Sequence, residues 1–301
     1  MSAGAARGVR VTVPASTANL GSGFDALGMA LGLYDVVAVR SGGGETRVEV
    51  SGEGAEQLPT SERHLLLRAL RAAGKEVGHE AGTLRVHCRN AIPHSRGLGS
   101  SAAAVVAGAA AGFVLAGIDP TSDAFHERVL NLAARFEGHA DNAAASLLGG
   151  LVLVWRSDDG FHASRAEPHQ AIRPVVAVPQ VRSATAVTRG LLPEQVPHSD
   201  AAFAAGRAAL AVHAITARPE LMFPATEDRL HQDYREPALP ESIALIDRLR
   251  ERGVAAAISG AGPTVLALTT DGVLGSDVDT NGFEVRELPV DRDGIRLEPL
   301  A

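Results

Sequence analysis

The 301-residue sequence predicts an α+β fold in two domains, and three observations carry that expectation. Short stretches of alternating apolar and polar residues crowd the N-terminal part, a small-residue helical run follows, and mixed strand and helix patterns fill the rest. No regular strand–helix–strand alternation marks a doubly wound parallel sheet. Length adds a soft preference for two domains or one large one, and 46% hydrophobic with 21% charged residues is a globular composition.

Val9, Val11 and Val13 alternate with polar residues as a strand that ends at Pro14, and a small-residue loop, Ala15 to Gly28, follows. Leu33 to Arg40 and Thr46 to Ser51 read as strands joined by a turn at Gly42-Gly43-Gly44. Glu62 to Ala73 has helical spacing with Ser61 as its cap. Thr83 to Cys88 is another strand, Asn90 to Gly99 has loop chemistry, and Ser100 to Gly112 is helix. A further helix spans Thr121 to Phe136, capped from Thr121-Ser122-Asp123. Leu151 to Trp155 and Pro174 to Val178 are strands, and Ala201 to Ala217 and Glu241 to Arg252 are helices. Val254 to Ser259 and Thr264 to Leu268 flank the turn Gly-Ala-Gly-Pro as a buried hairpin. The polar stretch 157 to 170 suits a domain boundary.

Charge narrows the function. A net −7, from 28 basic and 35 acidic residues, disfavours partners that need a basic face, so no nucleic acid and no membrane surface is expected. The single cysteine, Cys88, allows neither an intrachain disulfide nor a Cys-rich metal site. The opening MSAGAARGVR lacks a long apolar core, so no secretory leader is expected. Ala102 to Leu115 is too short to span a bilayer. A cytoplasmic protein follows. Lys75 is the only lysine, so neither a GxxxxGK[ST] loop nor a VAIK-type kinase lysine exists.

The most informative segment is Pro93 to Ala104, PHSRGLGSSAAA. Gly97 and Gly99 let the backbone approach a ligand closely. Ser100 and Ser101 open a long helix, whose N-terminal N–H groups and partial positive charge stabilise an anion without lysine. A serine hydroxyl there also suits Mg²⁺, a hard cation that takes oxygen ligands. Taken alone, Gly-x-Gly-Ser-Ser fits an ordinary capped loop equally well.

Three further blocks change that balance: STANLGSGFDALG at 16–28, HADN at 139–142 and SGAGPT at 259–264. With the phosphate loop they resemble the GHMP kinase superfamily, in the expected order and across nearly the whole chain. The first block is most similar to the branch that phosphorylates homoserine, rather than the mevalonate, galactose or isoprenoid-precursor branches. The resemblance implies a two-domain GHMP-kinase fold, with a β-rich ATP-binding domain over residues 1–160 and a ferredoxin-like α+β domain over 161–301. It also implies ATP and Mg²⁺, with L-homoserine as acceptor and O-phospho-L-homoserine, a precursor of threonine, as product. A homodimer is expected on the resemblance alone.

Residue by residue, the resemblance places the nucleotide phosphates along Pro93, Arg96, Gly97, Leu98, Gly99, Ser100, Ser101 and Ala102, with Gly260 and Gly262 shaping the same site. Asn19 would contact the reacting hydroxyl, Asp25 the substrate's polar end, His139 and Thr185 the substrate, and Arg189 and Arg235 its carboxylate. Guanidinium meets carboxylate bidentately, which is why arginine suits that task. Asn19, Asp141, Asn142 and Arg189 would sit at the chemistry. Asp141 is either a general base or a bystander in a transfer driven by positioning, which the loose transition state of phosphoryl transfer allows. Ser101 and Glu137 are the metal candidates; many relatives carry a second acid where this chain has Arg135. Rival readings are another kinase of the superfamily, such as a mevalonate kinase, in which Asp25 would tolerate Asn, and a non-catalytic nucleotide- or amino-acid-binding regulator.

Overall fold

A computed structural model describes residues 8–275 and 277–300; most of the opening segment read for a leader, residues 1–7, lies outside that range. Two sheets organise the chain. The first half supplies β1 (Gly8–Asn19), β2 (Gly23–Ser41), β3 (Arg47–Gly52), α1 (Leu65–Glu76), β4 (Leu84–Asn90), α2 (Ser100–Leu115), α3 (Asp123–Glu137), α4 (Asp141–Leu148), β5 (Leu151–Ser157) and β6 (Gly160–Ala166). The second supplies β7 (Arg173–Pro179), α5 (Thr185–Arg189), α6 (His198–Thr216), α7 (Met222–Ala225), α8 (Pro240–Glu251), β8 (Ala255–Ile258), β9 (Val265–Thr269), β10 (Phe283–Glu287) and β11 (Arg296–Pro299). The fold is α+β, as its element order predicts.

The larger sheet runs β11-β1-β2-β4-β3, with the β5–β6 hairpin attached to the first part of β2. Only β3 and β4 are parallel. The smaller sheet runs β10-β7-β9-β8, wholly antiparallel, which is the 4-1-3-2 order of a ferredoxin-like sheet. Its β9–β10 connection holds no helix among the described residues. The division expected between residues 160 and 161 falls at the start of β6, and β11 crosses back to pair with β1. Phe161 and Ala163 pack against the main core, and Asn131 of α3 clamps the Phe161 backbone through hydrogen bonds of 2.8 and 3.0 Å, so this polar-looking stretch is strand.

Other local differences have local causes. The β1 strand does not stop at Pro14. A register shift between Pro14 and Ala15 takes up the missing N–H, and the strand continues, fully buried, to Asn19. Most of the expected 15–28 loop is therefore a hairpin turning at 20–22. Helix α1 begins at Leu65, where His64 Nδ1 rather than Ser61 accepts the capping bond from Leu66 N. The Gly42–Gly44 segment is no hairpin turn, because β4 lies between β2 and β3.

Helix α2 is the centre of the large core. Its alanines and glycines leave almost no side-chain bulk, so neighbouring elements close directly onto its backbone. A Cβ at Gly108 would stand 2.2 Å from Leu66 O of α1, and one at Gly112 2.5 Å from Leu70 O. No helix among the described residues is long and apolar enough to cross a membrane.

This packing reverses the usual effect of glycine in a helix. Gly→Ala normally gains about 1 kcal/mol of helix propensity, but overpacking costs about 1–3 kcal/mol. Gly108→Ala should lose about 1–2 kcal/mol in urea unfolding. Gly206→Ala, in α6 with nothing within 4 Å of its Cβ, should instead gain up to about 1 kcal/mol. Equal shifts at both sites would contradict the direct α1–α2 contact.

Candidate active site

Three separated glycine-containing segments meet at one seam. Gly97 (φ +83°) passes so close to the Ser259–Gly262 turn that a Cβ there would stand 2.4 Å from Ser259 O. Ser259 Oγ donates to Gly97 O at 2.6 Å and lies 2.9 Å from Thr17 Oγ1. Backbone bonds from Ser16 N to Leu98 O, Gly260 N to Ala18 O and Thr264 N to Arg96 O complete the join. Gly99 (φ +72°) then caps α2; a Cβ there would meet Ser16 Oγ at 2.1 Å. No side chain caps this helix, so its first N–H groups face a cavity of about 350 Å³.

Around that cavity stand Asn19, Gly97, Gly99, Ser100, Ser101, Ala102, Glu137, His139, Asp141, Asn142, Thr185, Arg189, Arg235 and Gly260. The fold thus brings together most residues singled out in the sequence. Asp25, Pro93, Arg96, Leu98 and Gly262 lie outside the lining, Asp25 being paired with the lining residue Arg189. Arg96 spends its guanidinium on Pro179 O and Gln180 O, both at 2.9 Å, tying the loop to the smaller sheet. Leu98 is buried in the core, and Gly262 precedes a cis peptide to Pro263.

Ser101 Oγ donates to Glu137 Oε1 at 2.6 Å, which sets two hard oxygen atoms side by side at the start of α2. Arg135, two residues before Glu137, pairs with Glu76. Across the mouth, His139 Nδ1 donates to Asp141 Oδ1 at 2.7 Å, and the same oxygen accepts Asn142 N at 2.8 Å. Burial disfavours the imidazolium, but the hydrogen bond to Asp141 and its charge outweigh it, and the His139 pKa is raised. Asn142 Oδ1 in turn accepts from Ser16 Oγ at 3.0 Å.

Two arginines line the same cavity. Arg235 is 1% exposed, and its NH1 donates to Gly260 O at 2.7 Å. Its Nε is buried without a partner. Burial, with the charge of Arg189 second, lowers its pKa to about 10. Arg189 forms a bidentate pair with Asp25. Burial opposes the Arg189 charge, yet the Asp25 hydrogen bond and charge prevail and raise its pKa. Asp25 N donates to Asn19 Oδ1 at 3.0 Å, and Asn19 Nδ2 donates to Gly260 O at 2.9 Å.

Sequence reasoning missed several lining groups. Ser16 and Thr17 sit in the quoted first block but carry seam bonds that only contact reveals. At the far end, Asp35, His64, Asn90 and His94 line the cavity beside Val13, Val37, Leu58 and Leu66. Alternation would have placed Asp35 on the inner face, in phase with Val37 and Val39. Its Oδ1 accepts from Ala91 N at 2.7 Å and Ile92 N at 2.9 Å. Burial outweighs those bonds and pushes its pKa up to about 6.

Known proteins share this frame. The family model for the GHMP kinases N terminal domain matches residues 64–150, and that for the GHMP kinases C terminal matches 203–276. Fold and cradle thus define the class, one whose members use ATP. Homoserine kinase of Streptomyces avermitilis is 52% identical over 299 residues, covering 98% of this chain and 97% of its own. Homoserine kinase of Mycobacterium tuberculosis is 48% identical, covering 95% of this chain and 93% of its own. A crystal structure of homoserine kinase from Cytophaga hutchinsonii superposes with a TM-score of 0.83 at 26% identity, over 97% of this chain and 98% of that one. A mevalonate kinase shares the fold alone, with a TM-score of 0.66 at 12% identity. The chain belongs to the homoserine kinase family of the GHMP kinases.

Asp35 supplies a pH signature for the cavity's inner end. Its folded pKa lies above its unfolded value of 3.8, so its contribution is fully present below about pH 4 and is lost as pH rises through about 6. Asp35→Asn keeps an acceptor for both N–H groups and never ionises. Its stability relative to the parent should grow by up to about 3 kcal/mol between pH 4 and pH 8. Denaturant titrations across that range check this, and a gap that stays constant with pH would contradict the burial of a charge at Asp35.

Proposed function

We propose that this chain transfers the γ-phosphoryl group of ATP to the side-chain hydroxyl of L-homoserine, forming O-phospho-L-homoserine for threonine synthesis. The observation that carries this reading is the juxtaposition, in one cavity, of an uncapped helix N-terminus and a buried arginine that lacks a carboxylate partner. The first suits a polyphosphate and the second the carboxylate of an amino acid.

In this reading the phosphates lie along Gly97–Ala102, where N–H donors supply the field that lysine provides elsewhere. The apolar end at Val13, Val37, Leu58 and Leu66 receives the base. Mg²⁺ fits the oxygen pair of Ser101 and Glu137: such an ion takes one or two carboxylates and completes its shell with phosphate and water. When bound, it would neutralise phosphate charge. Arg235 takes the homoserine carboxylate together with Arg189, and Asp25 takes the ammonium. Asn19, locked between Asp25 N and Gly260 O, orients the hydroxyl toward the γ-phosphate. Asp141, held by His139 and the Asn142 N–H, receives the hydroxyl proton, which leaves late in a loose transition state. Positioning and charge neutralisation supply most of the rate. A cytoplasmic homodimer belongs to the same reading, by family resemblance.

A coupled ADP-release assay with homoserine, serine, threonine and mevalonate should show turnover strongly favouring homoserine. Preference for mevalonate, or no turnover with any of the four, would overturn the assignment. Arg235→Leu should raise the KM for homoserine by about a hundredfold, in line with the roughly 2–5 kcal/mol cost of truncating one partner of a buried charge pair, and change the KM for ATP little. Ser101→Ala should shift the Mg²⁺ dependence of turnover to higher concentration; an unchanged dependence would remove Ser101 from the metal site.

A further inference from the structure

Phe24 lies at the start of β2 between Gly23 and Asp25, an aromatic residue beside the two arginines of the site. Its ring centroid is 5.5 Å from Arg189 Cζ and 5.9 Å from Arg235 Cζ. Against it stacks the His231 ring, at 5.2 Å and 26°. His231 is wholly buried: its backbone N–H donates to Asp228 Oδ2 at 2.9 Å, its ring Nε2 lies 2.8 Å from Gly21 O, and its ring Nδ1 has no hydrogen-bond partner among the described residues. The Phe24 ring therefore has a buried backing and two cationic neighbours.

Two guanidinium groups held near one another repel, and only one of them has a carboxylate. Asp25 accounts for Arg189, whereas Arg235 is hydrogen-bonded to a single carbonyl, Gly260 O. The face of an aromatic ring attracts a cation within about 6 Å, and more strongly where water is excluded. Phe24 meets that criterion for both arginines at once. We infer that Phe24 is a positioning residue for substrate selection, its ring holding Arg189 and Arg235 at the spacing that receives one carboxylate. This rests on the carboxylate-binding role given to the two arginines above. Phe24 touches no reacting atom, so its effect falls on substrate affinity and not on the transfer step.

The test is steady-state kinetics of Phe24→Leu and Phe24→Tyr beside Arg235→Leu, with homoserine and with 2-amino-1,4-butanediol, which lacks the carboxylate. Loss of two ring–cation contacts corresponds to about a tenfold weakening. Phe24→Leu should therefore raise the homoserine KM about tenfold, with kcat and the ATP KM within about twofold. Phe24→Tyr, which keeps the ring face, should restore the KM. With the carboxylate-free diol, Phe24→Leu and the parent should have equal kcat/KM. A homoserine KM unchanged in Phe24→Leu, or equal losses in kcat, both KM values and the diol reaction, would overturn the inference. If Phe24→Leu does not fold, Phe24→Met carries the same expectations. An unchanged homoserine KM in Arg235→Leu would instead remove the carboxylate role itself, so the two failures are distinguishable.

Discussion

The site depends on the seam at which Gly97 is pressed against the Ser259–Gly262 turn. The buried Ser259 hydroxyl binds Gly97 O and faces Thr17, so a single side chain joins the phosphate loop, the first strand and the smaller sheet. Each of these segments holds one part of the chemistry. The loop aims the α2 N-terminus, the strand delivers Asn19, and the turn presents Gly260 O to both Asn19 and Arg235. Bulk at Gly97 or Gly99 would part them, because the space a Cβ needs is already filled by backbone or by Ser16. The glycines are a packing requirement between two sheets as much as a turn requirement.

The cavity brings unlike charges together. The chain has a net charge of −7 and one lysine. Its cavity is lined by the start of α2 and by two arginines, of which Arg235 is buried and Arg189 half-buried. Arg235 shows what this costs: its pKa is lowered to about 10 by burial and by Arg189. Such a group is poised for an anion, since an added negative charge relieves both effects. Arg189 is different, because the Asp25 carboxylate already pairs with it.

Much of this was legible in the chain. The β-rich, helical, then mixed order indicated an α+β fold, and the glycine–serine blocks marked the loops that meet at the cavity. Those signals survive because they are local: a helix start and a tight turn need particular residues whatever surrounds them. The extension of β1 past Pro14, the β6 strand hidden in a polar stretch and the return of β11 to the first sheet were not legible, because each depends on a partner strand distant in sequence. The same holds for Asp35, whose raised pKa comes from burial and not from its neighbours in the chain.

By itself, then, the sequence determined the class of fold, the glycine–serine loop at the α2 start, and the candidate set that includes Asn19, Asp25, His139, Asp141, Arg189 and Arg235. Backbone freedom at glycine and the intrinsic chemistry of each side chain are written residue by residue. The tertiary structure alone decided that Asp25 pairs with Arg189, that Arg96 ties sheets together without lining the cavity, and that Phe24 backs both arginines. Those outcomes are distances between groups up to hundreds of residues apart, and only packing two sheets along one seam sets them.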